Sequence, residues 1–215
     1  MKNGKMKSPQ DCLNELRERY PQLDCSGVEA AYSLLVDCYR GGGKVLCCGN
    51  GGSCADSEHI VGELMKSFLF KRPIREEIRE KLADYGQLGD DLIADLEGAL
   101  PAISLTGHPA LTTAFLNDTN PQLTFAQQLY GLARPGDVLI TLSTSGNSRN
   151  CLYAAVTARA MGVKVIALTG SGGGKLAGLA DALIAVPEEE TFKVQELHLP
   201  IYHCLCAMLE AEFFD

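Results

Sequence analysis

Five short apolar runs recur along the chain, and none of them alternates strictly between apolar and polar positions. They are KVLCC (44–48), AISL (102–105), DVLITL (137–142), KVIALT (164–169) and ALIAV (182–186). Runs of this kind are typical of strands that are covered on both faces, as in a parallel sheet. Helix-like segments separate most of the runs. The pattern therefore predicts an α/β fold in three layers, an αβα sandwich around a five-stranded parallel sheet.

Helical patterns flank this strand region at both ends of the chain. Residues 10–20 and 27–40 each look helical, and a break is expected between them at Pro21. The last segment, from about Lys193 to Phe214, is interpreted as one long helix that contains Pro200. A proline inside a helix removes the hydrogen bond to the residue four positions earlier, so a kink is expected there.

Residues 74–98 differ from the rest of the chain because they are highly charged. They contain one or two short amphipathic helices, in REEIREKLADY and GDDLIADLEGAL. One interpretation is a solvated or interface-covering insertion, and the other is a lid or a surface for a partner. We expect a single domain over residues 1–215, with a helical N-terminal segment (1–40) and this charged insertion.

Composition narrows the class of protein. The formal net charge of −8 argues against a surface that binds nucleic acid. No apolar run approaches the roughly 20 residues of a membrane span, and the charged N-terminus lacks the apolar core of a signal peptide. The nine cysteines include no CxxC pair and no zinc-ribbon spacing. We therefore expect small buried side chains in a reducing cytoplasm, not a disulfide scaffold.

The stretch that follows the third apolar run predicts a phosphate site. Gly146 and Asn147 can turn the chain sharply there, and a helix-like segment comes next. A strand, a turn rich in hydroxyls and free N–H groups, and then a helix start is a layout that binds phosphate. In the alternative interpretation, Ser145 is an ordinary helix N-cap. The hydroxyl residues of this turn are Ser143, Thr144, Ser145 and Ser148.

A second turn of this kind follows the first apolar run. It offers tight backbone geometry and a hydroxyl at a helix start, where the helix dipole favours anions. The glycine run TGSGGGKLAG (169–178) differs from a P-loop, because Leu176 stands where a hydroxyl should hold magnesium. Two hydroxyl turns, each after a parallel strand, indicate a phosphorylated ligand more specifically than one. The residues of the second turn are Asn50, Gly51, Gly52 and Ser53.

Titratable residues cluster near these turns. His59 and Glu63 are four residues apart, so they share one face of the helix that begins at the second turn. The alternative interpretation is an exposed helix pair. Gln195 and His203 are eight apart in the last helix, which separates them by two turns and about 80°. They therefore reach one site only through a bend or an intermediate position, and His198 between them is expected to be structural.

Together, these motifs resemble the sugar-isomerase (SIS) domain family, and within it the phosphoheptose isomerases. They are GNGGS with HxxxE, STSGNS, LTGxxGGKLAG and QExHxxxxH. The resemblance extends over nearly the whole chain, with residues 74–98 as an insertion. It implies the αβα sandwich already predicted, and a homotetramer with its sites at the subunit interfaces. The runs KVLCCGN and YHCLCAMLE also resemble an SIS relative that binds the bacterial replication initiator.

The resemblance also implies roles for individual residues. Glu63 and His203 would be the catalytic acid/base pair. The phosphate would be bound by Ser143, Thr144, Ser145 and Ser148. The remaining substrate contacts would come from Asn50, Gly51, Gly52, Ser53 and Gln195. The zinc ion of some relatives would be held here by His59, Glu63, Gln195 and His203.

These residue types suit the isomerisation of a ketose to an aldose. The reaction moves a proton between C1 and C2 through an enediol, so one group must take and return it while another protonates oxygen. A carboxylate and an imidazole suffice when their pKa values approach neutrality. Zinc bound by nitrogen and oxygen ligands could polarise the carbonyl. A glutamate that binds zinc is a weaker base, so the two roles of Glu63 compete.

We therefore expect an isomerase of sedoheptulose 7-phosphate or a similar sugar phosphate. The alternative is a non-catalytic, phosphosugar-binding regulator that binds another protein, such as a replication initiator. The chain also departs from the isomerase pattern, and these departures leave open how the far end of the sugar is bound. They are Ser67 in place of a basic residue (with Lys66, Lys71 and Arg72 nearby), Phe192 in place of an acidic one, and Pro200 in the last helix.

Overall fold

The computed structural model describes residues 7–214, so residues 1–6 of the predicted N-terminal segment and residue 215 lie outside it. All strand pairs in its sheet are parallel, and the strand order is β2-β1-β3-β4-β5. The predicted fold class is confirmed, because each of the five apolar runs forms one strand. The strands are β1 (Val45–Gly49), β2 (Ala102–Ser104), β3 (Val138–Leu142), β4 (Lys164–Thr169) and β5 (Ala182–Ala185).

Helices connect and cover the strands. Those before β1 and after β5 agree with the predicted helical segments, and α9 continues through Pro200 to Phe214. The predicted insertion contains two short helices, α4 and α5. The helices are α1 (Pro9–Arg19), α2 (Ser26–Arg40), α3 (Gly52–Met65), α4 (Glu76–Leu82), α5 (Gln87–Asp95), α6 (Pro109–Asp118), α7 (Thr124–Leu132), α8 (Arg149–Ala160) and α9 (Thr191–Phe214).

The sheet separates two hydrophobic cores. Successive side chains of a strand point to opposite faces, and β1 shows this clearly. Val45 and Cys47 pack with α1, α2, α3 and α9 on one face, whereas Leu46 and Cys48 pack with α7 and α8 on the other. Because both faces are covered, strands without polar positions are stable here.

The two predicted ligand turns lie side by side. β1 and β3 are neighbours in the sheet, and Gly49 at the end of β1 pairs with Leu142 at the end of β3. The chain leaves β1 into the turn that begins α3, and it leaves β3 into the hydroxyl turn. Since the carboxyl ends of parallel strands meet at one edge, this register brings both turns to the same place, as is usual for ligand sites in open α/β sheets.

The cysteines behave as buried side chains. All nine are free thiols; eight are buried, and Cys54 is partly exposed. Burial raises the pKa of the Cys47 thiol well above its ordinary value, so this thiol stays protonated. The helices of the described residues include none that is long and apolar enough to cross a membrane.

Candidate active site

A pair of amide side chains joins the two turns. Asn50 Nδ2 donates to Asn150 Oδ1 at 3.0 Å, and Asn150 Nδ2 donates back to Asn50 Oδ1 at 2.7 Å. Asn50 comes from the end of β1, and Asn150 lies in the first turn of α8. The sequence predicted Asn50 as a ligand residue but gave no signal for Asn150. The structure shows that Asn50 holds the two turns together.

The hydroxyl turn is held by bonds among its own residues. Ser143 is buried, and its Oγ donates to Ser148 Oγ at 3.0 Å. Ser145 is exposed, and its Oγ accepts from the backbone N–H of Asn147 at 3.2 Å. The helix α8 begins after Ser148, so Ser145 is not its N-cap. The exposed hydroxyl of Ser145 is therefore free to face a ligand.

The glycine-rich segment 169–178 packs against the hydroxyl turn. Gly146 has φ +63°, and a Cβ there would come within 2.0 Å of the backbone oxygen of Gly173. The backbone N–H of Lys175 donates to Asn147 Oδ1 at 3.1 Å. The run 169–178, which differs from a P-loop, thus serves as the wall against which the hydroxyl turn packs.

The glycine turn brings α3 close to α9. Gly51 has φ +58° and precedes the helix, a conformation that glycine adopts without strain. A Cβ at Gly52 would lie 2.7 Å from Gln195 Nε2, so the amide of Gln195 covers the start of α3. Ser53 is only 3% exposed, so it offers a ligand much less surface than Ser145 does.

Carboxylate and imidazole groups meet farther along α3 and α9. His59 Nε2 lies 3.0 Å from Glu63 Oε1 and 3.4 Å from His203 Nε2. The predicted pair His59 and Glu63 therefore does share a face, and that face meets α9. The other ring nitrogen of His59, Nδ1, lies 3.1 Å from the hydroxyl of Tyr202.

Both Gln195 and His203 reach the site because α9 runs beside α3. The eight helical steps from Gln195 to His203 span about 12 Å, and the seven steps from Gly52 to His59 span about 10.5 Å. Gln195 therefore meets the start of α3, and His203 meets its second turn. Gln195 and His203 therefore contact different parts of one site. They can do so although they are about 80° apart around the helix.

Burial sets the charge state of two histidines. Burial and the neighbouring His59 ring hold the pKa of His203 below its ordinary value, so its neutral form predominates near pH 7. His198 is completely buried, and its Nε2 lies 3.3 Å from the backbone oxygen of Thr169. Burial lowers the pKa of His198 to about 4, so this ring is neutral in the protein interior, and its structural role stays a prediction.

Arg72 supports the end of α3 from the protein interior. It is completely buried with Glu210, and Nε donates to Glu210 Oε1 at 2.7 Å. Its other nitrogens donate to the backbone oxygens of Glu63 and Leu64 at 2.9 and 2.8 Å. The last carbonyls of a helix lack partners within it, so Arg72 caps α3 beside Glu63. Of the basic residues near Ser67, this one is not available to a substrate.

The side chains expected to hold zinc are only partly arranged as a metal site. Across residues 7–214, no group of three or more His, Cys, Asp or Glu side chains is arranged as a metal site. Glu63 Oε2 is nevertheless buried without a hydrogen-bond partner in this part of the chain. Lys66 Nζ lies 3.9 Å from it.

A cavity of about 610 Å³ opens beside His203. It lies between α1, α9 and the segment 68–70. Its lining is largely apolar, with Leu16, Phe68 and Leu199 among the residues that form it. One end of the titratable cluster is therefore open to a large space.

The fold and the site define the class of protein. The family model described as SIS domain matches residues 10–83 and 94–170, and the chain belongs to this family. Residues 84–93, which separate the two matched stretches, lie within the predicted insertion.

Several individual proteins that are similar to this chain are phosphoheptose isomerases. The chain is 37% identical over 187 residues to the phosphoheptose isomerase of Akkermansia muciniphila, covering 87% of this chain and 86% of that protein. It is 38% identical over 200 residues to the phosphoheptose isomerase of Rhodospirillum rubrum, covering 93% and 90%. Among solved structures, phosphoheptose isomerase GmhA from Neisseria gonorrhoeae matches with a TM-score of 0.69 and 31% identity, covering 92% of this chain and 93% of that one.

Proposed function

We infer that this protein is a sugar-phosphate isomerase, and we propose sedoheptulose 7-phosphate as its substrate. The main observation behind the proposal is that Glu63 and His203 both contact the His59 ring, beside two turns suited to phosphate. The similarity to phosphoheptose isomerases over most of the chain supports the same function. A phosphosugar-binding regulator without activity is not favoured.

The proposed mechanism assigns each proton to one group. The hydroxyl turn binds the phosphate through Ser145 and the backbone N–H groups before α8. The Glu63 carboxylate takes the proton from C1 and returns it to C2, while His203 carries a proton from O1 to O2. Its lowered pKa suits this role, because the neutral ring has one nitrogen that donates and one that accepts. Both groups finish the cycle in their starting state.

The proposal includes zinc, which His59, Glu63 and His203 would hold where they meet; Gln195, whose amide covers the start of α3, would have to turn toward them to be the fourth ligand. Ligands of a tetrahedral zinc with bonds of 2.0–2.1 Å lie about 3.3 Å apart, close to the 3.0 and 3.4 Å separations at His59 Nε2. The unpartnered Glu63 Oε2 supports the same proposal. Binding requires these side chains to exchange their mutual hydrogen bonds for bonds to the ion. When bound, zinc supplies Lewis-acid polarisation of the sugar carbonyl.

Metal analysis tests the zinc proposal. We expect purified protein to contain zinc and His59→Ala to lose it, because that variant removes the nitrogen that lies between Glu63 and His203. His108→Ala is the matched control. His108 lies at the start of α6 and forms its hydrogen bond with Gln128, not with the proposed zinc ligands. The measurement is zinc content by mass spectrometry after dialysis. Zinc content that is equal in His59→Ala and wild type would exclude this site.

Removing one hydroxyl tests the phosphate assignment. Ser145→Ala should weaken the binding of sedoheptulose 7-phosphate by about 1.5–3 kcal/mol, the range for a hydrogen bond to a charged group. Calorimetric titration measures the change. The control is Ser26→Ala, which removes an exposed hydroxyl at the start of α2. If Ser145→Ala binds as tightly as the control, this hydroxyl does not contact the phosphate.

We also propose that the chain forms one SIS domain, works as a homotetramer in the cytoplasm, and has a charged insertion at 74–98. The open cavity beside His203 supports the proposed assembly, because a neighbouring subunit could close it.

A further inference from the structure

Two asparagine side chains bridge the glycine turn and the hydroxyl turn, although they are 100 positions apart along the chain. Asn50 Nδ2 donates to Asn150 Oδ1 at 3.0 Å, and Asn150 Nδ2 donates to Asn50 Oδ1 at 2.7 Å. Each amide thus gives one hydrogen bond and receives one. Neither side chain can turn away without breaking both bonds, so the bridge holds the two turns at one spacing.

A backbone group fixes the orientation of this bridge. The backbone N–H of Cys151 donates to Asn150 Oδ1 at 3.0 Å. An N–H group can only donate, so the atom of Asn150 that faces it must be the amide oxygen. The nitrogen of Asn150 is then the atom that meets the oxygen of Asn50. The hydrogen-bond network therefore assigns the oxygen and the nitrogen of both amides.

Both ends of the bridge are attached to the helices that carry the site. The backbone oxygen of Asn50 accepts from the N–H of Ser53, in the first turn of α3, at 3.1 Å. Asn150 is the second residue of α8, which begins directly after Ser148 of the hydroxyl turn. α3 carries Glu63, the proposed base. The bridge therefore connects the turn assigned to the phosphate with the helix assigned to the chemistry.

We propose that Asn150 is a positioning residue, which acts through Asn50 to set the distance between the hydroxyl turn and α3. The inference rests on the proposed function, and it gives a role to a residue that does not itself contact the substrate. A phosphate bound at one turn places the sugar carbons correctly against Glu63 only if the two turns keep one spacing. A misplacement of roughly 1 Å can lower the rate of an enzyme about 100-fold.

Removing the amide of Asn150 tests this role. Asn150→Ala should lower kcat for sedoheptulose 7-phosphate by up to about 100-fold, with a much smaller change in KM. Its affinity for inorganic phosphate, measured by calorimetric titration, should match that of wild type, because the hydroxyls of the turn remain in place. Asn14→Ala is the matched control, since Asn14 accepts from Gln10 at 3.0 Å in an exposed amide pair on α1. Loss of phosphate binding in Asn150→Ala, or a kcat equal to that of the control, would contradict the positioning role.

A double-mutant cycle shows whether Asn150 acts through Asn50. If it does, Asn150→Ala should have no further effect on kcat in protein that already carries Asn50→Ala, because the bridge is already broken. Effects on kcat that multiply would show that Asn150 acts independently, and they would overturn the proposal. The same cycle in the free energy of unfolding by urea measures the bridge without substrate. If unfolding shows the coupling but wild type has no isomerase activity, the proposed function fails, and the role of Asn150 in catalysis fails with it, whereas the bridge stands.

Discussion

Glu63→Gln is expected to lower kcat for isomerisation by about 10²–10⁴-fold, the contribution typical of a general base. The amide has nearly the shape of the carboxylate and can still meet His59, but it cannot take a proton from carbon. Binding of sedoheptulose 7-phosphate should change little, because the phosphate is assigned to the hydroxyl turn. A coupled assay for the aldose product and calorimetric titration of the ketose measure the two effects.

The control for this prediction lies on the same helix. Glu58 is exposed on α3, and its carboxylate accepts from Thr106 Oγ1 at 2.8 Å. Glu58→Gln makes the same chemical change without touching His59. If both variants lose activity equally, the effect belongs to the helix and not to the base. Retention of wild-type kcat in Glu63→Gln would exclude Glu63 as the group that moves the carbon-bound proton.

The fold could be predicted from the sequence because its strands are buried on both faces. An interior strand admits few polar residues, so each strand appears as an apolar run, and β1 and β3 are the clearest cases. The two ligand turns could also be located, because each follows a strand that carries this signal. The side-by-side position of the turns depends on strand order, which the apolar pattern does not specify.

The finer structure of the site depends on contacts between distant residues. Tyr202 and Asp56 are 146 positions apart, and no spacing rule connects residues at that separation. Periodicity within one helix predicted His59 with Glu63, and their contact is observed. It did not predict Tyr202, because a tyrosine in an apolar helix looks like an ordinary core residue. Asn150 was missed for the same reason, since its partner Asn50 lies on another strand–helix unit.

Arg72 is the clearest case in which sequence position misleads. A basic residue in a charged stretch is usually solvated, yet Arg72 and Glu210 are 0% and 1% exposed. The Glu210 carboxylate also accepts from the backbone N–H groups of Phe68, Leu69 and Phe70. A buried ion pair whose remaining polar atoms are all bonded is held by the surrounding structure. The sequence contains no local sign of this partner.

The second large effect is therefore expected on stability. Arg72→Met should destabilise the protein by about 3–5 kcal/mol, because it leaves the Glu210 carboxylate buried without its counter-charge. Urea denaturation followed by circular dichroism measures the change. The control is Arg17→Met, which breaks an ion pair with Glu29 whose side chains are 42% and 49% exposed. Exposed pairs contribute about 0–1 kcal/mol, so the two variants should differ clearly.

Arg72→Lys separates charge from geometry at the same position. Lysine keeps the positive charge, but it cannot reproduce the planar fork that reaches Glu210 and the carbonyls of Glu63 and Leu64 together. We expect an intermediate loss of stability and a fall in kcat beyond that explained by the unfolded fraction, because the end of α3 that carries Glu63 loses its cap. Full stability with reduced kcat would assign Arg72 to positioning alone. Wild-type values for both would show that the charge suffices and that the capping bonds contribute little.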